Sequence, residues 1–266
     1  MRITGIIPAR MNSTRFPGKA LVDILGIPMV IRVWEAAESS GVFHEIYVAT
    51  DSPDIASVCR ERHIPFLMTG SHHLNPTSRT AEAASLTDAD LTMMIGGDEP
   101  LLSPEDIQTV AVTGAAAFSN EPETLFAVNA MAPIPSGEEA LDPSNIKLQY
   151  NKHHEMITAS RSLIRPCFGV DSTPFRTTYS EKILCRKFVS IGLYSRKALD
   201  FFISAPPGPL ELTEHFDLLR FTEHGKRVLL VEIPGRTLSV DTPADLETVT
   251  QLLKAKKENH EIETKV

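Results

Sequence analysis

Short apolar runs alternate with longer stretches whose apolar residues recur at helical spacing through the first half of the chain. The runs Ile3–Pro8, Ile46–Thr50, Pro65–Thr69 and Leu91–Ile95 read as buried strands. Between them, Met29–Ser39 sets Val30, Val33, Trp34 and Ala37 at helical spacing and stops before Gly41, a helix-ending residue. The spacing predicts a second helix over Pro53–Arg62, with Asp51 and Ser52 as candidate caps and proline in the first turn. Ser103–Ala117 repeats that device, with Ser103 as cap, Pro104 first and Asp106 in the first turn. Strand, helix, strand at this rhythm implies a parallel sheet with right-handed crossovers, and so the α/β class.

The pattern loosens after Thr124–Ala132. Residues 133–187 hold many Pro, Ser, Asn and basic residues, with strand-like runs at Ile146–Tyr150 and Ile157–Ile164. They read as an insertion or small subdomain, with a dimer contact as its expected use. The α/β rhythm then returns in a strand at Val189–Tyr194, a helix from Arg196 and another through Glu211–Glu223. A strand at Val228–Ile233 and a helix opening at Thr242–Pro243 follow. One domain over residues 1–254 is expected, followed by a charged, frayed tail over 255–266.

Composition narrows the partners. The chain has 266 residues, 42% hydrophobic and 23% charged, as in an ordinary globular protein. Its net charge of -8 argues against a general nucleic-acid binder, which needs a basic face. Cys59, Cys167 and Cys185 form no CxxC pair, so reduced thiols are expected rather than zinc or disulfides. Ile3–Ile7 is too short an apolar run for a signal peptide, and no window approaches the ~20 apolar residues of a membrane span. A cytoplasmic protein with no membrane partner is the expectation.

Against that acidic background, "IIPARMNSTRFPGKAL" (Ile6 to Leu21) gathers Arg10, Arg15 and Lys19 directly after the first strand. In open parallel sheets ligands sit beyond the carboxyl ends of strands, so these cations and the small residues among them suit a polyphosphate. Neither GxxxxGK[ST] nor GxGxxG is present, and a solvated basic loop is the plainer alternative. At a second strand end, "GGDEP" places Asp98 where a carboxylate can hold Mg²⁺, while Glu99 beside it can as well face solvent. At a third, "VDTPADL" offers Asp241, as a second metal carboxylate or as a helix cap. Arg161 and Arg165 could take a substrate carboxylate or lie at the surface. Glu211, Glu214, His215 and Asp217 read as a solvated helix face. His72-His73 and His153-His154 are set aside as zinc ligands, because adjacent histidines point in different directions and no companion sits at i+4.

Together the three clusters resemble the cytidylyltransferases that make CMP-activated acidic sugars, most closely the 3-deoxy-manno-octulosonate (KDO) cytidylyltransferases. The family pattern IIPAR-x-x-STR-x-PGK-x-L is met by Ile6 to Leu21, GDEP by Gly97 to Pro100, and VDTP-x-DL by Val240 to Leu246. "ATD" (Ala49 to Asp51), "SR" (Ser160-Arg161), "PLE" (Pro209 to Glu211) and "LR" (Leu219-Arg220) agree too. The resemblance implies a Rossmann-like mixed, mostly parallel sheet of the nucleotide-diphospho-sugar transferase type, usually in a homodimer. It implies that CTP and a small acidic substrate are the ligands, Mg²⁺ is the cofactor, and surface-glycan or lipopolysaccharide synthesis is the setting. Carried over by position, Ala9, Arg10, Ser13, Arg15, Lys19, Thr77 and Arg79 would hold the nucleotide. Arg10, Lys19 and Asp98 would be the catalytic groups, Asp98 and Asp241 would hold the metal, and Arg161 and Glu211 would lie near the sugar acid.

Beside the glycine lost at Pro76, four positions depart from the family pattern: Gly96 stands for a glutamine, Ser78 for a glutamate, Leu218 for a glutamine, and Ser190 falls near a histidine. Losing hydrogen-bonding groups changes discrimination among hydroxylated substrates strongly. An acid other than plain KDO is therefore expected as acceptor. A non-sugar acid such as a phosphonate, or a nucleotide-binding module without catalysis, are the alternatives.

Overall fold

The computed structural model describes residues 1–134, 136–163, 186–234 and 237–263, with side chains described through residue 258. Four strands come from the predicted apolar runs: β1 (Ile3–Ala9), β4 (Glu45–Thr50), β5 (Phe66–Met68) and β6 (Leu91–Ile95). They lie parallel in the order β5-β4-β1-β6. The chain thus leaves β1 toward one side and returns to its other side, so a crevice opens between the carboxyl ends of β1 and β6.

The sheet extends past β6 through β10 (Arg186–Ser195), β7 (Leu125–Pro133) and β11 (Arg227–Glu232). Only β10 runs against its neighbours on this path, pairing antiparallel with β6 and β7. The result is the mixed, mostly parallel sheet that the resemblance implied. Within the 133–187 stretch, the short helix α5 (Gly137–Leu141) precedes the hairpin β8 (Lys147–Tyr150) and β9 (Met156–Ser160). That hairpin joins the main sheet through Leu148 and Lys147, opposite Arg186 and Lys187 of β10. Ile164, Arg165, Cys167 and Cys185 lie outside the described residues.

Helices cover both faces because alternate strand residues are apolar on both sides. Ile7, Met93 and Ile95 are buried with α1 (Met29–Ser39), α2 (Pro53–Glu61) and α4 (Pro104–Asn120). Met94 and Tyr194 are buried on the opposite side with α3 (Pro76–Ala84), α6 (Arg196–Ser204) and α8 (Leu219–Glu223). The caps follow the sequence: Ser52 accepts from the Ile55 N–H, and Ser103 forms a capping box with Asp106. Helix α3, which the apolar pattern does not announce, uses the same Pro-first device, with Asn75 accepting from the Ser78 N–H at 2.8 Å.

Two expectations change. The single helix over Glu211–Glu223 is two, α7 (Pro209–Glu214) and α8, separated where His215 adopts a left-handed conformation (φ 49, ψ 49). The break turns Phe216 inward, edge-on to Phe188 at 4.8 Å, so core burial overrides continuous helix. Residues 255–263, expected as part of a frayed tail, instead continue α9 (Pro243–Glu263), in keeping with their Lys, Glu and Ala content. No helix among the described residues is long and apolar enough to cross a membrane. Two-residue strands β2 (Asp23–Ile24) and β3 (Ile27–Pro28) form a small hairpin, whose Ile24 is buried with Val240 and with Val249 of α9. This contact brings the 238–241 loop back beside β1.

Candidate active site

A cavity of about 320 Å³ opens at the crevice between the ends of β1 and β6. Ala9, Arg10, Ser13, Arg15 and Lys19 line it from the loop after β1, Gly96 to Asp98 from the end of β6, and Asp241 from the loop before α9. His73, Asn75 and Arg79 line it from around α3. The loop after β1 turns at Gly18, whose φ of 76 favours glycine, and a short 3-10 turn then points Lys19 inward.

Lys19 decides the geometry. Its Nζ donates to Asp98 Oδ2 at 2.6 Å, Asp241 Oδ1 at 2.9 Å and the Val240 carbonyl at 3.1 Å. Two carboxylates 143 positions apart in sequence therefore converge on one point. Burial alone would lower the Lys19 ammonium's pKa, but the charges and hydrogen bonds of Asp98 and Asp241 outweigh it and raise it. Arg15 adds an ion pair to Asp241 Oδ2 at 2.9 Å, and exposed Arg10 stays open to the cavity.

The two readings of Asp241 separate cleanly. Thr242 and Asp245 cap α9, with Asp245 accepting from the Thr242 N–H at 2.8 Å and Thr242 Oγ1 accepting from the Asp245 N–H at 3.3 Å. The Asp241 side chain is thereby left for the cavity. Glu99 does not face solvent: it is 3% exposed and accepts from Ser239 Oγ at 2.5 Å. Burial and the Asp98 charge push its pKa up to about 7, against Ser239 and Lys187, which lower it. Ser239 and the Val240 N–H, which donates to the Asp98 carbonyl at 2.9 Å, tie the two aspartate loops together.

Arg79 is buried, yet lines the cavity; it donates to Thr69 Oγ1 at 2.6 Å and pairs with Asp51 at 3.3 Å. Thr77 is not brought there. It is fully buried, with its hydroxyl 3.9 Å from the Met94 sulfur and beside Asp217 and Tyr194. On a helix, residues two apart face different ways, which is why Arg79 points in and Thr77 does not. Glu211 is buried rather than solvated, and its carboxylate takes both forks of Arg220, at 2.5 and 2.7 Å. Arg161 binds backbone, donating to the carbonyls of Glu214 at 2.7 Å and Pro143 at 3.0 Å. Its guanidinium, lowered by burial and by the Arg15 charge, lies at the cavity's margin without lining it. Neither proposed acid-binding residue is thus free for a ligand as it stands.

A family model described as cytidylyltransferase matches residues 4–228. The chain belongs to the cytidylyltransferase family. It is 36% identical over 95% of its length to a 3-deoxy-manno-octulosonate cytidylyltransferase of Geobacter metallireducens, covering 98% of that protein. Against the protein of the same name from Geobacter sulfurreducens it is 37% identical over 96% of its length and covers all of that chain. A solved CMP:2-keto-3-deoxy-manno-octonic acid synthetase complexed with CTP superposes with a TM-score of 0.82 at 31% identity, over 96% of this chain and all of the other. At 16% identity, a putative glucose-1-phosphate thymidylyltransferase from Bacillus anthracis shares the fold, with a TM-score of 0.63 over 94% of each chain.

In this cytidylyltransferase the four departures fall in different places. Gly96 and Ser190 are neighbours in the cavity wall: the Gly96 N–H donates to the Ser190 carbonyl at 2.7 Å. A Cβ at position 96 would meet Ser190 Oγ at 2.5 Å, so a larger residue there requires Ser190 to move. Ser78 belongs to the cap of α3, and Leu218 is buried in the core. Sequence alone set His73 aside, took Asp51 for a helix-cap candidate and a family match, and missed Asn75 and the Glu99–Ser239 clasp. The Asn-Pro pair that caps α3 was the readable signal for Asn75.

Proposed function

We propose that this chain transfers CMP from CTP to an acidic sugar of the 3-deoxy-ulosonate type, releasing pyrophosphate. The observation that carries the reading is the convergence of Asp98, Asp241 and Lys19 at the crevice, with Arg10 and Arg15 on the same wall. The sugar hydroxyl would form its bond to the α-phosphorus while the bond to the bridging oxygen of pyrophosphate breaks, and the hydroxyl proton leaves to solvent. Such a reaction asks the protein to align the two ends and to neutralise charge on phosphate oxygens.

Arg10, Arg15 and Lys19 suit that neutralisation because each is a permanent or near-permanent cation at neutral pH. The donor set also fits Mg²⁺: two carboxylate oxygens that share one cationic partner at 2.6 and 2.9 Å favour a small hard cation with phosphate and water as its other ligands. Asp98 and Asp241 would hold it, and once bound it would offset phosphate charge and acidify the attacking hydroxyl. Arg79 and Asn75, which line the cavity from around α3, would meet the nucleoside end. A homodimer through the 133–187 segment and a cytoplasmic location complete the reading. Light scattering checks the dimer, which a mass of one chain refutes, and cell fractionation checks the location, which recovery outside the cytosol refutes.

The test is pyrophosphate release from CTP and Mg²⁺ with a panel of acids, including KDO, other 3-deoxy-ulosonates and phosphonates. Release with an ulosonate supports the proposal. Release only with a phosphonate, or with none of the acids, removes it.

A further inference from the structure

Beside the catalytic centre, His72, His73 and Glu82 bring one ligand atom each within 4.8 Å of one another, and His73 also lines the cavity. Sequence reasoning set this pair aside because neighbouring histidines diverge. Here the turn before α3 folds them together, ring centroids 4.2 Å apart, and α3 supplies the missing companion in Glu82. Gly70 permits it, since a Cβ there would lie 2.4 Å from the His72 ring.

Neighbouring groups hold the three side chains in place. Ser78 Oγ, which donates to the Asn75 carbonyl at 3.0 Å, also lies 3.1 Å from His73 Nδ1. That contact turns Nε2 toward Glu82, with which it is in direct contact. Glu82 is held in place by the Gly70 N–H, 3.1 Å from both of its oxygens. A metal ion would displace the proton between His73 Nε2 and Glu82 and take both atoms as ligands, with His72 as the third.

We propose that His72, His73 and Glu82 form a second metal site, for Zn²⁺ or another borderline divalent ion. Two imidazoles and a carboxylate match zinc's preferences, and zinc ligands stand about 3.3 Å apart when bonds are about 2.0–2.1 Å, a spacing that small side-chain rotations reach from here. The hydroxyl on His73 Nδ1 is the outer partner that orients a metal-bound histidine. Magnesium, which prefers oxygen donors, does not suit the set. An ion there would pin the wall carrying His73 and Asn75 beside the nucleotide cavity.

Equilibrium dialysis of the full chain against buffered Zn²⁺ at pH 7.5, with bound metal counted by mass spectrometry, tests this apart from any catalytic assignment. The Asp98→Asn/Asp241→Asn double variant should still hold one zinc per chain. Adding His72→Ala, an exposed change that leaves the fold intact, should weaken that zinc at least ~10-fold, and Glu82→Gln should abolish it. Magnesium in large excess should not displace it. Zinc bound equally well after His72→Ala overturns the proposal. So does an absence of zinc on the double variant.

Discussion

Glu99 offers a quantitative test of the clasp beneath the two aspartates. Its carboxyl is raised from 4.5 to about 7, first by burial and then by the Asp98 charge. The sign follows from proton uptake: between those two values the folded chain holds a proton that the unfolded chain has lost. Stability therefore falls as pH rises through this window. A shift of that size corresponds to about 3 kcal/mol, since each pKa unit is worth about 1.4 kcal/mol. Glu99→Gln keeps the shape and can still accept from Ser239, but carries no charge at any pH. We expect urea unfolding in EDTA to show the variant gaining on the natural protein by about 3 kcal/mol between pH 4.5 and 8, whatever their offset at pH 4.5. The lowered carboxylates Glu82 and Glu155 titrate below this window in both proteins and cancel. Parallel pH profiles, within about 0.5 kcal/mol, would refute the assignment of a proton to buried Glu99.

Lys19→Met should lower turnover at least ~100-fold, as loss of one positioned charge-stabilising donor does; steady-state pyrophosphate release measures it, and near-natural turnover counts against its role. The same variant removes the cation that Asp98 and Asp241 share, leaving Arg15 on Asp241 alone, so Mn²⁺ titration by electron spin resonance should show tighter metal binding than in the natural chain. Arg220→Met strips the buried Glu211 of its partner and should cost about 3–5 kcal/mol in urea unfolding; a loss below 1 kcal/mol would show that Glu211 is not a structural ion-pair partner. Ser103→Ala should cost about 1 kcal/mol through loss of the α4 capping box, read as a fall of about 2–4 °C in Tm.

Much of this was written in local pattern. Ser103 before Pro104 and the apolar run Leu91–Ile95 announce a capped helix and a buried strand, because both depend on neighbours in sequence. The loop from Ile6 to Leu21 likewise declares its cations at a strand end. Where reading failed, long-range contacts decided. Glu211 looks like one of a row of exposed acids, and only the fold delivers Arg220's guanidinium to it and Phe188 to Phe216. Thr77 and Arg79 sit in one motif, but helical geometry sends them to opposite sides. The meeting of Asp98 with Asp241 depends on the Ile24–Val240 contact and the Glu99–Ser239 bond, which no spacing encodes.

Phosphorus-31 NMR of a single turnover examines the convergence of Asp98, Asp241 and Lys19 most directly. With CTP, Mg²⁺ and a 3-deoxy-ulosonate, the natural chain should yield a CMP diester resonance and pyrophosphate in equal amounts, and Asp98→Asn should leave the triphosphate signals unchanged. Diester formed by Asp98→Asn at the natural rate, or pyrophosphate without any diester, would contradict the account.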